Sequence, residues 1–301
     1  MKSQAFFGEF VWLVNTIRNA RRITFSDINQ RWVHSSFSDG QPMSRSTFNR
    51  HKDAVLDIFG IKIACDSSDN YKYFIENEEV LKSDTIQNWM YSTLSVNTFL
   101  ADNRSLHDRI LLEPIQLDDN MMQAFLTAMK TNVSIKVKYH KFGEEQPTER
   151  LVDPYCVKLF NRRWYVLGRQ RGIDQLRTFA FDRIKEYDVT ALHFDLPKDF
   201  DARTYYIGSY GIFNSENQPV ERIVIRVYGL TVKFFEQLPL HSSQKVISKG
   251  DDFVDFEYHV RCSIDLVNFV LSQGSSVQIL SPKHLADKIQ QKVTETLARY
   301  K

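Results

Sequence analysis

Cysteine is scarce in this chain: three residues in 301, at Cys65, Cys156 and Cys262, with no CxxC spacing among them. An odd, scattered set supplies neither a local zinc motif nor a redox pair, and it fits a reducing cytoplasm. Glycine and proline are also few, at 11 and 8, which excludes collagen-like and low-complexity chains. No run approaches the ~20 apolar residues that a membrane-crossing helix needs. The apolar start (Phe6, Phe7, Phe10, Val11, Trp12, Leu13, Val14) is broken by Glu9 and is not followed by a small-residue cleavage site, so no signal peptide is expected. The loops GxxxxGK[ST] and GxGxxG, and the catalytic motifs HExxH and GxSxG, are missing. Gly208-Ser209-Tyr210-Gly211 lacks the flanks of a nucleophile elbow. The paired acids Glu144-Glu145 and Asp118-Asp119 fall in an expected turn and helix start, where carboxylates are usually solvated. No catalytic residue, metal ligand or cofactor is therefore assigned. Two alternatives stay open: a metal-dependent nucleic-acid enzyme that gathers scattered carboxylates, and an RNA-binding adaptor.

What is present is a composition of the globular kind, 43% hydrophobic and 25% charged, with 22 Phe and 13 Tyr to fill sizeable cores. At this length two or three domains are expected. The net charge of +2 does not point to any partner by itself, so the distribution of charge has to be read instead.

Residues 1–77 read as three helices and a hairpin. The first helix, about 4–19, has Phe6, Phe10, Leu13 and Ile17 on one face. The second opens at Ser26 as N-cap. The third opens at Ser44 and runs to Phe59, with Gly60 as its stop. The runs Ile61–Cys65 and Tyr71–Ile75 flank a polar tip and read as a hairpin. At about 100° per residue, Phe48, Val55, Leu56 and Phe59 of the third helix face inward, while Ser46, Asn49, Arg50 and Asp53 face out and Thr47 lies at the border. Hydroxyl, amide and guanidinium groups on the first turns suit base edges in a major groove, and Arg45 and Lys52 suit phosphates. Arg45, Ser46, Thr47, Asn49, Arg50 and Lys52 are therefore the candidate DNA contacts of a winged helix-turn-helix. The bland alternative is a solvated helix, favoured by Asp53 and Asp57, since residues 1–77 carry only ten basic against eight acidic residues.

Residues 78–112 read as a helical connector. Ile86, Trp89, Met90, Thr93, Leu94 and Asn97 form a stripe that packs either into a core or between two subunits.

Residues 113–190 change character, with a helix at Asp118–Lys130 followed by strands at Val133–Tyr139, Arg150–Phe160, Arg163–Arg169 and Gln175–Phe181. Short strands with tight connections predict a small curved β-barrel. From Lys158 to Arg183 seven basic residues meet only Asp174 and Asp182, with Tyr165 and Phe179 interleaved. Arginine forks bind phosphates and aromatic rings stack on bases, so the set suits a nucleotide or single-stranded nucleic acid.

The runs Arg150-Leu151-Val152-Asp153-Pro154-Tyr155, Arg163-Trp164-Tyr165-Val166-Leu167-Gly168 and Arg177-Thr178-Phe179-Ala180-Phe181-Asp182-Arg183-Ile184 resemble the WYL family. Val166 stands where the family's Trp-Tyr-Leu triplet has leucine, and it keeps an apolar strand position. The resemblance extends to the layout of helix-turn-helix, WYL domain and a C-terminal extension called WCX. It implies an Sm-like barrel and ligand-controlled bacterial transcription, with relatives in DNA-damage and phage-defence control and with nucleic acids or nucleotides as effectors. Tyr139, Arg150, Tyr165, Arg177, Phe179 and Arg183 are carried over as ligand-binding candidates. His140 and Lys141 join them on chemistry alone. For Arg177 a structural ion pair is the rival role, Trp164 is expected to pack in the core, and Asp182 to pair with an arginine.

Residues 191–301 read as βαββαβ followed by a long helix, Pro282–Tyr300, which predicts a ferredoxin-like sandwich. By resemblance this is the WCX extension, which helps dimerise the protein. His241, His259 and His284 look isolated and solvated. The expected whole is an α+β multidomain homodimer whose partners are an operator duplex and an effector, with repression as the expected sign.

Overall fold

The apolar spacing at the amino terminus forms a helix: α1 (Lys2–Ala20) buries Phe10, Leu13 and Ile17. The side chain of Phe6, the fourth member of that predicted face, lies outside the described residues. The computed structural model describes residues 2–82, 85–102, 104–113, 118–173, 175–214 and 218–300. The chain divides into two units, Met1–Leu112 and Glu113–Lys301.

In the first unit α2 (Phe25–Val33) is capped by Thr24, whose hydroxyl accepts from the Asp27 amide at 3.2 Å, rather than by the predicted Ser26. The earlier start brings Phe25 into the helix, where its ring meets Phe48 edge-on at 5.2 Å. Helix α3 (Arg45–Phe59) begins and ends as predicted, with the Ser44 hydroxyl accepting from the Thr47 amide and Gly60 in the left-handed conformation. Its inward face holds Phe48, Val55 and Phe59 but not Leu56, which is 45% exposed. His51 takes the remaining inward place, because residues 48, 51, 55 and 59 follow the three- and four-residue steps of one stripe.

Strands β1 (Ile63–Asp66) and β2 (Lys72–Ile75) form the antiparallel hairpin. Ile23, before α2, bridges Tyr73 and adds a third extended segment that has no sequence signal of its own. Helix α4 (Ile86–Asp102) packs in this same unit. Tyr91 and Ser95 are its buried residues among those described. The Tyr91 hydroxyl donates to Asn15 Oδ1 at 2.6 Å, and Asn15 Nδ2 donates to Ser95 Oγ at 3.1 Å. The predicted stripe is therefore split. Met90 and Leu94 touch the core, whereas Ile86, Trp89, Thr93 and Asn97 are exposed.

The second unit opens with α5 (Asp119–Thr131), whose cap is the Asp118 carboxylate accepting from the Met121 amide at 3.0 Å. Five antiparallel strands follow: β3 (Val133–Tyr139), β4 (Thr148–Phe160), β5 (Arg163–Gln170), β6 (Leu176–Ala180) and β7 (Ile184–His193), in the sheet order β6-β5-β4-β3-β7. The sequence reading missed β7, because of its residues only Ile184 is buried and no apolar alternation marks it. Among the described residues no ladder joins β6 to β7. Pro154 lies on the central strand, a place proline normally cannot take. It is tolerated because pairing with β3 ends at Val152 and the register with β5 shifts between Pro154 and Cys156. Opposite, Gly168 is required, since a Cβ there would lie 2.5 Å from the Asp153 carbonyl oxygen.

Asp153 is fully buried. Its carboxylate accepts from Ser134 Oγ at 2.6 Å, from Arg169 Nη2 at 2.9 Å and from Arg171 Nε at 2.9 Å. Burial alone would raise its pKa. The Ser134 hydroxyl and the two guanidiniums outweigh that and hold it below the usual carboxylate value.

The remainder holds the short helix α6 (Ala202–Tyr206), then β8 (Glu221–Tyr228), α7 (Thr231–Gln237), β9 (Lys245–Lys249), β10 (Phe253–Val260), α8 (Ile264–Ser272), β11 (Val277–Ser281) and α9 (Lys283–Ala298). The four strands pair antiparallel in the order β11-β8-β10-β9, over a core that includes Ile223, Ile225, Phe256, Tyr258 and Leu266. Among the described residues, no helix is long and apolar enough to cross a membrane.

Two outcomes follow from these buried ionisable groups. Burial, reinforced by the Arg50 charge, lowers the His51 pKa from 6.5 to about 4. The unfolded chain therefore takes up a proton that the folded one refuses, and stability falls as pH drops between those two values. Glu9, 3.2 Å from His51 Nε2, has its pKa raised by burial and works in the opposite sense near the carboxylate range. The His51 contribution is thus cleanest at the upper end of the window. A His51→Phe variant should lose that slope in thermal melts recorded across the window, and an unaltered slope would refute the assignment. Asp153→Ala should cost about 3 kcal/mol in urea unfolding, the lower end for breaking a buried ion pair because both guanidiniums keep contact with water.

Candidate functional site

Two groups of predicted residues fall in different units, and each is considered by itself. On α3, Ser46, Asn49 and Arg50 are exposed, and their side chains make no hydrogen bond or ion pair among the described residues, although the Arg50 charge acts on Glu9 and His51. Thr47 is half-buried, and its hydroxyl accepts from Ser44 Oγ at 3.0 Å. Arg45 is committed within the unit: Nη1 donates to the Tyr73 hydroxyl at 2.9 Å, and its guanidinium lies 3.9 Å from the Phe25 ring centre. It therefore locks α3 to the hairpin. Lys52 is half-buried. At the hairpin tip Arg22 pairs with Asp66 at 2.8 Å and Asp69 at 3.2 Å, while Lys72 pairs with Asp69 at 2.8 Å, so the tip largely neutralises its own charge.

In the second unit a cavity of about 610 Å³ opens beside β5 and β6. Its basic lining is Lys141, Arg150, Arg163, Arg177 and Arg183, and among the described residues its only acidic lining residue is Asp265. Tyr139, Tyr165 and Phe179 also line it, as predicted. His140 does not: its Nε2 lies 3.0 Å from the Glu144 carbonyl oxygen. The walls are held by ring contacts. Tyr139 and Phe179 meet edge-on at 5.2 Å, Arg150 lies 5.2 Å from the Tyr139 ring centre, and Arg183 stands 3.3 Å above Phe142. Burial raises the Tyr165 pKa and keeps the phenol protonated, able to donate.

The arginines sort by partner. Arg169 and Arg171 belong to Asp153, Arg163 pairs with Asp182, and Arg162 pairs with Glu113 at 2.7 Å. Arg150 has a loose partner in Glu144 at 3.4 Å. Arg177 and Arg183 have no ion pair among the described residues, and the Nε of each is buried without a hydrogen bond. Asp174, the other acid in the basic stretch, lies outside the described residues. Leaving a buried donor unsatisfied costs about 1–3 kcal/mol, more when it is charged. Two such groups beside Lys141, Arg150 and Arg163 make an environment that favours an anion. The expected packing of Trp164 is observed: it is half-buried against the sheet core.

The sequence reading missed Asp265. It sits in the first turn of α8, where an acid looks like routine helix-end stabilisation, and nothing local signals a cavity. Its Oδ2 accepts from the amides of Ile212 and Phe213 at 2.8 and 3.0 Å. A Cβ on Gly211 would overlap that carboxylate, so the glycine permits the approach. Ile212, Phe213 and Asn214 thereby become a wall of the cavity. A second cavity of about 590 Å³ shares Gln175, Leu176, Tyr205 and Asn214 with the first. Its Arg169 and Arg261 are balanced by Asp199 and Asp201, so the excess of positive charge is confined to the first.

Comparison with known proteins matches residues 120–189 to the WYL domain and residues 219–297 to the WCX domain. Protein PafC of Mycobacterium leprae (strain TN) is 23% identical over 187 residues, covering 61% of this chain and 54% of the relative. The chain thus spans about half the length of the curated relative it matches. Among solved structures, proteasome accessory factor B/C (PafBC) of Arthrobacter aurescens is similar at 17% identity with a TM-score of 0.38, covering 95% of this chain and 46% of that one. A CRISPR Cas-related protein is similar at 10% identity with a TM-score of 0.37, covering 92% and 70% respectively. The chain thus carries, in succession, a region that matches the WYL domain and a region that matches the WCX domain.

Proposed function

We propose that this protein is a sequence-specific DNA-binding transcriptional regulator, acting as a repressor, whose grip on its operator is controlled by a nucleotide or single-stranded nucleic-acid ligand bound at the WYL domain. The observation that carries the proposal is the pair Arg177 and Arg183: two guanidiniums with buried, unsatisfied Nε atoms in a cationic, aromatic cavity. Phosphate supplies the missing charge and acceptors, and the rings supply stacking. The resemblance to ligand-controlled WYL regulators, phage-defence regulators among them, supports the same reading.

On this reading residues 1–77 are a winged helix-turn-helix, 78–112 a connector, 113–190 an Sm-like barrel and 191–301 a ferredoxin-like sandwich. The sheet order β11-β8-β10-β9 supports the last of these. The exposed outer face of α3 supports base contacts by Ser46, Asn49 and Arg50, with Arg45 and Thr47 holding the helix in position. The exposed apolar residues Ile86, Trp89, Val96 and Phe99 on α4 support a second copy as partner, since paired half-sites require two modules. Ligand binding shifts operator affinity by the difference between its affinities for the two states of the dimer.

Arg50→Ala should weaken operator binding by about 1–3 kcal/mol if the guanidinium makes a bidentate base contact. Fluorescence anisotropy with an operator duplex selected from genomic fragments measures this, and an unchanged affinity would remove Arg50 from the interface. Arg177→Ala should abolish the response to nucleotides while leaving operator affinity intact. Its thermal midpoint should stay level or rise, because no ion pair among the described residues is lost and cationic crowding is relieved. A fall in that midpoint would instead mark Arg177 as a structural residue.

A further inference from the structure

Glu221, Cys262 and His284 are far apart in sequence, and none belongs to a local metal motif. The fold brings them together from three elements. Glu221 is the first residue of β8, Cys262 lies two residues past the end of β10, and His284 stands in the first turn of α9. One donor atom from each, a carboxylate oxygen, Sγ and an imidazole nitrogen, lies within 4.8 Å of the other two. His284 Nε2 is already 3.5 Å from Glu221 Oε1. In a tetrahedral zinc site, with bonds of about 2.0–2.3 Å, ligand atoms stand roughly 3.3–3.7 Å apart. The His284–Glu221 spacing meets that value, and the widest separation must close by roughly 1 Å to do so. His284, with a side chain 59% exposed, has the rotational freedom to close it.

The geometry points to a site for a zinc(II)-class divalent cation at Glu221, Cys262 and His284. The donor set selects the class: thiolate and imidazole suit a borderline-soft ion and disfavour magnesium or calcium, which prefer all-oxygen shells. Cys262 is 8% exposed at the edge of the β8–β10 core, so the thiol approaches from the protein side. Glu221 and His284 approach from the solvent side, leaving a fourth position for water. Lys288, one turn beyond His284, is near enough to act electrostatically on the thiol, but it is exposed and can turn away. The bland alternative is a Cys262–Glu221 hydrogen bond beside a surface His284–Glu221 pair.

A metal here has a structural consequence. Leu285 is the one buried residue of α9 among those described, with Ala286 and Ile289 half-buried beside it, so that long helix is held to the core near its first two turns. Coordination through His284 clips its first turn to the ends of two strands of the sheet. The inference is independent of the function proposed above.

The test uses the full chain, stripped with a chelator and titrated with cobalt(II) alone as a spectroscopic stand-in. A thiolate-to-metal charge-transfer band and tetrahedral visible bands should saturate at a single equivalent and vanish on addition of zinc(II). Cys262→Ser should abolish the charge-transfer band, while Cys65→Ser should leave it. His284→Ala and Glu221→Gln should each weaken binding at least tenfold, and zinc should raise the thermal midpoint of the parent protein but not that of His284→Ala. Absence of a saturable band, or its persistence in Cys262→Ser, overturns the proposal. So does wild-type affinity in both His284→Ala and Glu221→Gln, which would mean a lone thiol adduct. Should Cys262→Ser fail to fold, the His284 and Glu221 variants, altered at more accessible side chains, decide the matter.

Discussion

One buried carboxylate organises the charge of the WYL domain. Asp153 lies in the middle of the five-stranded sheet and binds Ser134 on β3, Arg169 on β5 and Arg171 just beyond it. Removing a carboxylate from water is costly, and the site repays this only because three donors converge on it. By occupying Arg169 and Arg171, Asp153 divides a stretch of sequence that looks uniformly basic. Those two arginines become structural, and the cations left facing the cavity are a smaller set with a definite geometry. The adjoining Pro154 and Gly168 follow from the same place in the sheet, where pairing with β3 stops and the β5 backbone comes too close for a side chain.

The cavity that results is completed by a distant part of the chain. Asp265 of the WCX domain fastens the 211–213 segment through two backbone amides, and the Thr178 hydroxyl donates to the Ile212 carbonyl of that segment at 3.5 Å. The cavity is lined by groups from both domains. Its electrostatic demand comes from the WYL strands, and part of its enclosure depends on a carboxylate in the first turn of α8. In the first unit the division of labour is similar. Arg45 spends its charge on Tyr73 and Phe25 to brace α3, and the hairpin tip pairs its own acids and bases. Ser46, Asn49 and Arg50 stay exposed on the outer face of α3.

Much of the local structure was legible in the residues. The Ser44 cap, the Gly60 stop, the hairpin and the βαββαβ order all follow from short-range rules of capping, period and turn chemistry, and each appears within a few residues of its predicted place. The misreadings have physical causes. Strand β7 is mostly exposed and carries no alternation. Thr24 outcompetes Ser26 because Phe25 gains a partner ring across the core. Leu56 is exposed and His51, to which the residues alone assigned no side, is buried, because the stripe at 48, 51, 55 and 59 follows helical period rather than hydrophobicity.

From residue order alone came the element types, the concentration of arginine and aromatic residues in one domain, and the motif that marks that domain. These depend on neighbours a few positions away, and covalent sequence records such neighbours directly. Which arginines find a carboxylate, which histidine enters a core, how Asp265 reaches a cavity and how Glu221, Cys262 and His284 meet were settled only by tertiary packing. Coulombic pairing, desolvation and metal geometry depend on separations of a few ångströms between atoms that the chain keeps dozens of residues apart, and no local pattern encodes those separations.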